Sequence, residues 1–325
     1  MTSISPGVDV VIPTVGRPSL AALLHSLARS VSSRTRIVVA DDRRAGDGPL
    51  WGGLDDPRIT VVRSGGRGPA AARNRGWRAA SQEWVAFLDD DVDIPLAWVR
   101  QLDQDLLDAP PHVGAVTGRI QVPHSPHRRP TDWERNVVRL QQAGAVTADM
   151  AVRRTALEAV GGLDERFPYA YREDTDLVLR LEDAGWEITR GERVVWHRVR
   201  PAPWWVSVRL QRGNGADVLL DRIHGPAWRD RLGEPAGTYP SHRVTVAAAA
   251  AALAAAATRR PRLARMAGAV WLARTGRFAW TRIAPGPRTA SEVFAMLATS
   301  AAIPPAACVH RLAGQLRWRL TLRGR

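Results

Sequence analysis

The sequence predicts an α/β fold: a mostly parallel sheet flanked by helices, followed by a basic, mainly helical C-terminal region. Three observations predict it. Short apolar runs alternate with helical spacings through the first two-thirds of the chain. Two of these runs end in acids, Asp41-Asp42 and Asp89-Asp90-Asp91, where open α/β sheets bind ligands. From about residue 240 the composition turns to alanine and arginine, which favours helix.

The elements follow in order. Val8-Asp9-Val10-Val11-Ile12 is an apolar run ending in Pro13-Thr14, the first strand. Leu20, Leu23, Leu24 and Leu27 recur at helical spacing behind Pro18, a proline suited to a helix's first turn, so 18–29 reads as a helix. Arg36-Ile37-Val38-Val39-Ala40 is the second strand, 59–62 the third, 70–80 a helix and Trp84-Val85-Ala86-Phe87-Leu88 the fourth strand. A helix over 95–107 follows the acidic triplet. Residues 113–122 are β-rich, 123–130 form a Pro- and His-rich loop, and 153–160 and 174–184 read as helices. Val194-Val195-Trp196 is a short strand ending at His197.

In the C-terminal third, 244–257 is almost pure alanine. It falls short of the roughly 20 apolar residues a membrane span needs and reads as a soluble helix. A second helix fits 262–282, its arginines spread over several faces. Residues 316–323 alternate apolar and basic, which suits a strand or a frayed helix. No internal repeat occurs. The reading divides the chain into a domain over 1–225 and an Arg/Ala-rich helical region over 226–325.

The chain of 325 residues, 45% hydrophobic, is large enough to bury a substantial core. Cys308 is the single cysteine, so no intrachain disulfide forms, which fits a reducing compartment. The start, Met1-Thr2-Ser3-Ile4-Ser5-Pro6, has neither the basic nor the apolar part of a secretion signal. The net charge is +14, and every Lys/Arg position is arginine. From Arg243 to Arg325 there are 14 arginines and one acid, Glu292, which leaves the first 242 residues near neutrality. A neutral body with a basic tail points to an anionic partner: a membrane surface, a polyanionic acceptor or nucleic acid.

Three carboxylates in a dry core would repel one another, so Asp89-Asp90-Asp91 belongs at a strand end facing solvent or ligand. Carboxylate oxygens suit Mg²⁺ or Mn²⁺. An acidic turn opening the next helix explains the same run. Gly66-x-Gly68-x-x-Ala71 looks like a dinucleotide fingerprint but follows the third strand, not the first, and is a decoy for NAD. A Gly-rich loop opening a helix still approaches nucleotides closely, and Arg73 and Asn74 lie a turn inside, within reach of a phosphate or base. In Glu173-Asp174-x-Asp176, Asp174 falls near a helix N-terminus, either as an acidic cap or as a general base for a hydroxyl. His197 is a structural histidine or a nitrogen ligand completing a carboxylate metal site. Trp133, Trp204 and Trp205 suit stacking on sugar rings as well as ordinary packing.

Taken together, these segments resemble the family 2 glycosyltransferases of the GT-A fold, over about residues 8–225. The resemblance is carried, in family order, by Val11-Ile12-Pro13-Thr14 with Arg17; Val38-Val39-Ala40-Asp41-Asp42; Gly68-Pro69-Ala70-Ala71-Ala72-Arg73-Asn74; Phe87-Leu88-Asp89-Asp90-Asp91; Arg153-Arg154 with Val160-Gly161-Gly162-Leu163-Asp164-Glu165; Glu173-Asp174-x-Asp176-Leu177; and His197. It implies a Rossmann-like sheet and an inverting, metal-dependent sugar transfer from a nucleotide-sugar donor. The acceptor would be a glycan, a lipid-linked molecule or a small molecule, in glycan, cell-envelope or glycosylated-metabolite synthesis. It further implies that Pro13, Asp41, Arg73, Asp89 and Asp90 serve donor binding, that Asp91 and His197 hold Mg²⁺ or Mn²⁺, and that Asp174 is the base. Arg209 and Arg212 fall where relatives place basic groups near the diphosphate. Alternation along extended chain turns Asp89 and Asp91 into the crevice and Asp90 away, making Asp90 the most replaceable of the three.

Two departures stand out. Arg43-Arg44 replaces a small Gly-Ser turn after Asp41-Asp42, and Asp149 stands where many relatives carry Asn. The loops 43–57, 123–149 and 198–215 set donor and acceptor identity. The expected location is the cytoplasm, with peripheral contact of the basic region on the inner face of an anionic membrane; nucleic acid is the less favoured partner. Two alternatives remain. A nucleotidyltransferase would show glycines after the first strand, where Pro13-Thr14-Val15-Gly16-Arg17 is poor in them. A catalytically inactive basic scaffold for anionic lipid or nucleic acid would not need competent residues at each catalytic position.

Overall fold

The computed structural model describes residues 6–32, 34–44, 48, 50, 55–144 and 146–321. The first five residues, read above for a leader, lie outside this set, as do 322–325. Two compact units divide the chain. One holds the residues up to Pro123 with Val138–Val199, and the other His124–Val137 with the residues from Arg200 onward.

The first unit is built on an eight-stranded sheet. In chain order it contains β1 (Val8–Thr14), α1 (Ser19–Ser30), β2 (Ile37–Asp41), β3 (Ile59–Arg63), α2 (Pro69–Trp77), β4 (Trp84–Leu88), β5 (Val92–Asp93), α3 (Trp98–Leu107) and β6 (Val113–Gln121). After the segment that packs in the second unit, which contains α4 (Asp132–Val138), come β7 (Asp149–Arg153), α5 (Arg154–Val160), α6 (Glu173–Asp183) and β8 (Glu187–His197). The strand order is β3-β2-β1-β4-β7-β6-β8-β5. The strands β3, β2, β1 and β4 are parallel, β7 is antiparallel to both β4 and β6, and β8 runs parallel to β6.

β1, β2 and β4 are buried along their whole length, which is why they read as unbroken apolar runs rather than alternating ones. Pro13 sits in β1 beyond Val11, the last residue registered with β4. Its missing N–H thus falls where one of the two ladders has ended. The face of α1 carrying Leu20, Leu23, Leu24 and Leu27 is buried against the sheet layer; each leucine contributes about 1.5–3 kcal/mol. Trp84, Phe87, Trp98 and Phe167 fill the core.

One charge is wholly inside that core. The Arg193 guanidinium donates to Asp149 Oδ1 at 2.8 Å, Asp105 Oδ2 at 2.9 Å and the Val116 carbonyl at 2.7 Å. Trp98 Nε1 donates to the other Asp149 oxygen at 3.1 Å. Burial pushes the Asp149 carboxyl up, and Arg193 opposes that shift. The unusual acid at 149 is therefore an internal partner for Arg193. Removing either one would strand a buried charge.

The second unit is helical. Besides α4 it contains α7 (Val206–Arg209), α8 (Gly213–His224), α9 (Trp228–Arg231), α10 (Tyr239–Ala257), α11 (Pro261–Ile283) and α12 (Ala290–Thr321). Residues 200–225, placed with the first domain on sequence grounds, pack here: α8 lies along α12. Gly215 and Gly314 form the crossing, where a Cβ on Gly314 would come within 2.8 Å of the Gly215 backbone. A small cluster of Ala279, Ile283, Ala295 and Met296 joins α11 to α12. Arg282 pins this cluster, reaching Thr299 at 2.8 Å, Ser300 at 3.0 Å and Asp132 at 2.8 Å. Helix α12 runs through Pro304-Pro305 to Thr321, so the alternating stretch from 316 is helical as far as it is described. Residues Ala290–Arg319 are long and apolar enough to cross a membrane by length and composition, although 39% of the most apolar window is buried inside the protein.

Candidate active site

At the carboxyl edge of the parallel strands, Thr14 of β1 registers with Asp41 of β2, and β4 ends at Leu88, next to Asp89. The sheet order runs outward from β1 in both directions here, the position at which open α/β sheets bind ligands.

Beyond Leu88 the chain turns through Asp89-Asp90-Asp91 into β5. β5 pairs antiparallel with the end of β8, Val92 opposite His197. That short ladder brings together two segments far apart in sequence: His197 Nε2 lies 3.6 Å from Asp91 Oδ1. One ligating atom from each of Asp89, Asp91 and His197 lies within 4.8 Å of the others. Asp91 and His197 are buried, and Asp89 is partly exposed. The Arg198 carbonyl, 3.3 Å from His197 Nδ1, accepts a hydrogen bond from that nitrogen when it carries the ring proton. This tautomer turns the Nε2 lone pair to the carboxylates, as a metal ligand requires. Two carboxylates and an imidazole fit Mg²⁺ or Mn²⁺.

Asp90 points the other way, as alternation expects, toward partners of its own. It is 1% exposed, accepts from Thr14 Oγ1 at 2.5 Å and from Arg17 Nη1 at 2.5 Å, and ties the β1–α1 turn to the acidic triplet. The ranking of Asp90 as the most replaceable member did not include these contacts. Its partners lie more than 70 positions away, so local alternation found its direction and not its contacts.

Arg73 is buried on α2. One terminal nitrogen donates to Asp89 Oδ1 at 2.7 Å and the other to Glu173 Oε1 at 3.1 Å. Burial disfavours its charge, but Asp89, Glu173 and Asp174 outweigh this and raise its pKa. Arg73 thus links the acidic triplet to α6. Asn74 does not reach toward a ligand: it is 2% exposed and clamps the 163–165 loop through the Leu163 backbone and Glu165. The loop before α2 is equally constrained. Asp42 accepts from Ser64 Oγ and the Gly68 N–H, and Gly68 has φ +102° with the Pro168 carbonyl 2.9 Å from where a Cβ would stand.

Asp174 is the second residue of α6, where the helix dipole favours a carboxylate. Its Oδ1 accepts from the Thr175 N–H at 2.8 Å. Burial raises its pKa against the pull of that N–H and of Arg73 and Arg172. Glu173, fully inside the protein, is pushed up to about 8 by burial and by Asp174 beside it. Arg172, just before the helix, holds a left-handed backbone at φ 77°, a strained conformation for a non-glycine residue.

Asp41 is 3% exposed and clasped by its near neighbour Arg43. The guanidinium reaches Oδ1 at 2.9 Å and Oδ2 at 3.1 Å, and the Arg43 N–H adds a third bond at 3.0 Å. Burial works to raise its pKa, and Arg43 lowers it further than burial raises it. Pro13 is buried in β1, and most of the 43–57 loop lies outside the described residues. Arg209 and Arg212 belong to the second unit, on α7 and the turn after it; Arg209 stacks on Trp205 at 5.8 Å. Trp133 belongs there too, its indole N–H donating to the Arg200 carbonyl at 2.7 Å.

Of the residues named from the sequence, the structure brings Asp89, Asp91 and His197 together, and it adds Glu173 as a buried partner of Arg73 that the sequence reading did not name. The Glu-Asp pair itself was the available signal: adjacent residues on a helix point about 100° apart, so two acids at the head of an amphipathic helix can face different surroundings.

Comparison with known proteins adds to this geometry. Residues 9–160 match the family described as glycosyl transferase family 2. The pre-mycofactocin glycosyltransferase of Mycobacterium tuberculosis is 34% identical over 173 residues, covering 47% of this chain and 35% of the relative. The O-antigen biosynthesis protein RfbC of Myxococcus xanthus is 26% identical over 255 residues, covering 64% of this chain and 19% of the relative. The chain thus spans only about a third or less of these curated relatives. Glucosyl-3-phosphoglycerate synthase from Mycobacterium tuberculosis, solved with Mn²⁺, uridine diphosphate and glucosyl-3-phosphoglycerate, aligns over 71% of this chain and 82% of its own, with 18% identity and a TM-score of 0.44.

Proposed function

We propose, from the match of residues 9–160 to glycosyl transferase family 2, that this chain moves a sugar from a nucleotide-sugar donor to an acceptor hydroxyl, with inversion at the anomeric carbon. The observation that carries the reading is the convergence of Asp89, Asp91 and His197 within 4.8 Å, joined through buried Arg73 to the helix that opens with Glu173-Asp174.

Asp89, Asp91 and His197 would hold a Mg²⁺ or Mn²⁺ ion. Such an ion supplies charge neutralisation for the departing diphosphate. The remaining work falls to the chain itself. Asp174 accepts the proton of the acceptor hydroxyl on a carboxylate oxygen. Its raised pKa makes it a stronger base than an exposed aspartate. A single displacement with base and leaving group on opposite faces of the sugar inverts the configuration. Arg73 keeps Asp89 oriented, and the Arg198 carbonyl keeps Nε2 of His197 facing its partners. The pair Asp41–Arg43 forms the β2 end of the nucleotide pocket.

The test is release of nucleoside diphosphate from a panel of nucleotide-sugars by the purified chain with Mn²⁺. Asp91→Asn and Asp174→Asn are each expected to lower turnover by at least about 100-fold. Full turnover in Asp174→Asn would remove the base assignment, and no release from any donor would remove the transferase reading.

A further inference from the structure

The second unit carries a feature that sugar transfer does not use. Helices α10 and α11 pack against each other as a hairpin. Its buried residues, His242 and Thr245 on α10 and Ala279, Arg282 and Ile283 on α11, all lie at the base. From residue 246 to 278 no side chain is fully buried. At 1.5 Å per residue, α10 runs about 18 Å past Thr245 before it turns. A helical arm of this length with no core of its own needs something to cover it.

The tip of the arm has a specific chemistry. Leu253, Leu263 and Met266 are 73%, 50% and 67% exposed. Between and beside them stand Arg259, Arg260, Arg262 and Arg265, all exposed. No acidic residue occurs between Glu234 and Glu292, so nothing nearby in sequence neutralises them. Arg259 closes the turn in a left-handed backbone at φ 54°, and Pro261 restarts the helix. Four cations interleaved with three large apolar side chains match one surface best: an anionic bilayer. Arginine stems lie along apolar groups while their heads meet lipid phosphates, and leucine and methionine enter the acyl boundary. A nucleic acid would match the arginines and leave the apolar side chains in water.

We propose that the tip of the α10–α11 hairpin seats this protein on the surface of an anionic membrane, with Arg259, Arg260, Arg262 and Arg265 at the headgroups and Leu253, Leu263 and Met266 below them. The contact is peripheral. α12, the one helix among the described residues both long and apolar enough to span, has an inner face that holds the Arg282 network and the Gly314 crossing.

The experiment is flotation of the full chain with vesicles of phosphatidylcholine alone and of phosphatidylcholine mixed with phosphatidylglycerol, at low and high salt. Binding is expected on the mixed vesicles only, and to weaken at high salt. With each arginine worth about fivefold, replacing all four by Gln is expected to lower binding at least about 100-fold. Leu263→Ser with Met266→Ser is expected to lower it at least about tenfold. Because all of these side chains are exposed, an unchanged melting temperature separates lost contact from lost fold. Equal binding to both vesicle types overturns the proposal. So does retention in the membrane through alkaline carbonate, which would make α12 a span. Binding to duplex DNA that needs the arginines but not Leu263 and Met266, without vesicle binding, assigns the arm to nucleic acid instead.

Discussion

Arg73 and Glu173 face each other inside the protein at 3.1 Å, yet the carboxyl keeps its proton to about pH 8. The reason is the third partner. Arg73 also binds Asp89 at 2.7 Å, so its positive charge is already balanced, while Glu173 has burial and the adjacent Asp174 against its ionisation. The arrangement keeps Glu173 neutral beside Asp174, the proposed base.

A pH dependence of stability follows. Glu173 has an ordinary value of 4.5 and is held at about 8 in the folded chain. Between these values the folded form retains a proton that the unfolded form has released. Stability therefore falls as pH rises through that window, and is fully present below it. Glu173→Gln keeps the neutral form permanently. Its urea midpoint is expected to change less between pH 5 and pH 8.5 than that of the parent chain. An equal slope in both would place the titration elsewhere.

The same buried linkage predicts the cost of removing the cation. Arg73→Ala leaves the Asp89 carboxylate and the buried Glu173 carboxyl without their shared donor, and is expected to destabilise the fold by about 1–3 kcal/mol. Arg73→Lys restores charge and not the fork that spans Asp89 and Glu173, and is expected to recover only part of that loss. Denaturation curves of the two variants decide this. An Arg73→Ala chain as stable as the parent would mean that the bridge adds nothing.

The acidic triplet separates into two jobs. Asp91→Asn is expected to weaken Mn²⁺ binding at least about tenfold, read by calorimetry, with little change in melting temperature. Asp90→Asn is expected to do the reverse. It turns one of the two oxygens that accept from Thr14 and Arg17 into an N–H donor and costs about 1–3 kcal/mol, while Mn²⁺ affinity changes by less than about threefold. Identical profiles for the two variants would show that the triplet acts as one unit.

This division also marks how far the sequence could be read. β1, β2 and β4 were legible because each is buried on both faces and so apolar from end to end. Asp89, Asp91 and Asp174 were legible because each stands at the end of such a run or at the head of an amphipathic helix. The partners of these acids were not. Arg73 meets Glu173 100 positions away, and Arg193 meets Asp149 44 positions away, through the packing of α2 on the sheet and the β7-β6-β8 order. No local period records such a meeting. The full reach of α12 was hidden for another reason. Its alanines, two prolines and scattered arginines give neither a strong apolar stripe nor a clear stop, and tertiary contacts with α8 and α11 fix it as one helix.

Arg43 lies two residues past the end of β2, and on the proposed donor site its position predicts a consequence for nucleotide binding. Both Asp41 oxygens accept from Arg43, so the carboxylate is engaged before any nucleotide arrives. A base with a ring N–H, as in uridine or guanosine, must compete with the guanidinium for Asp41 or bind beside it. In Arg43→Ser the carboxylate is freed, and one charge-assisted hydrogen bond becomes available at about 1.5–3 kcal/mol. Affinity for uridine or guanosine diphosphate is then expected to rise about tenfold or more, and that for adenosine diphosphate, which lacks a ring N–H, to stay level. Calorimetric titration of the parent and the variant with all three nucleotides reads this directly. A uniform fall in affinity would instead place the Arg43 guanidinium in contact with the nucleotide itself.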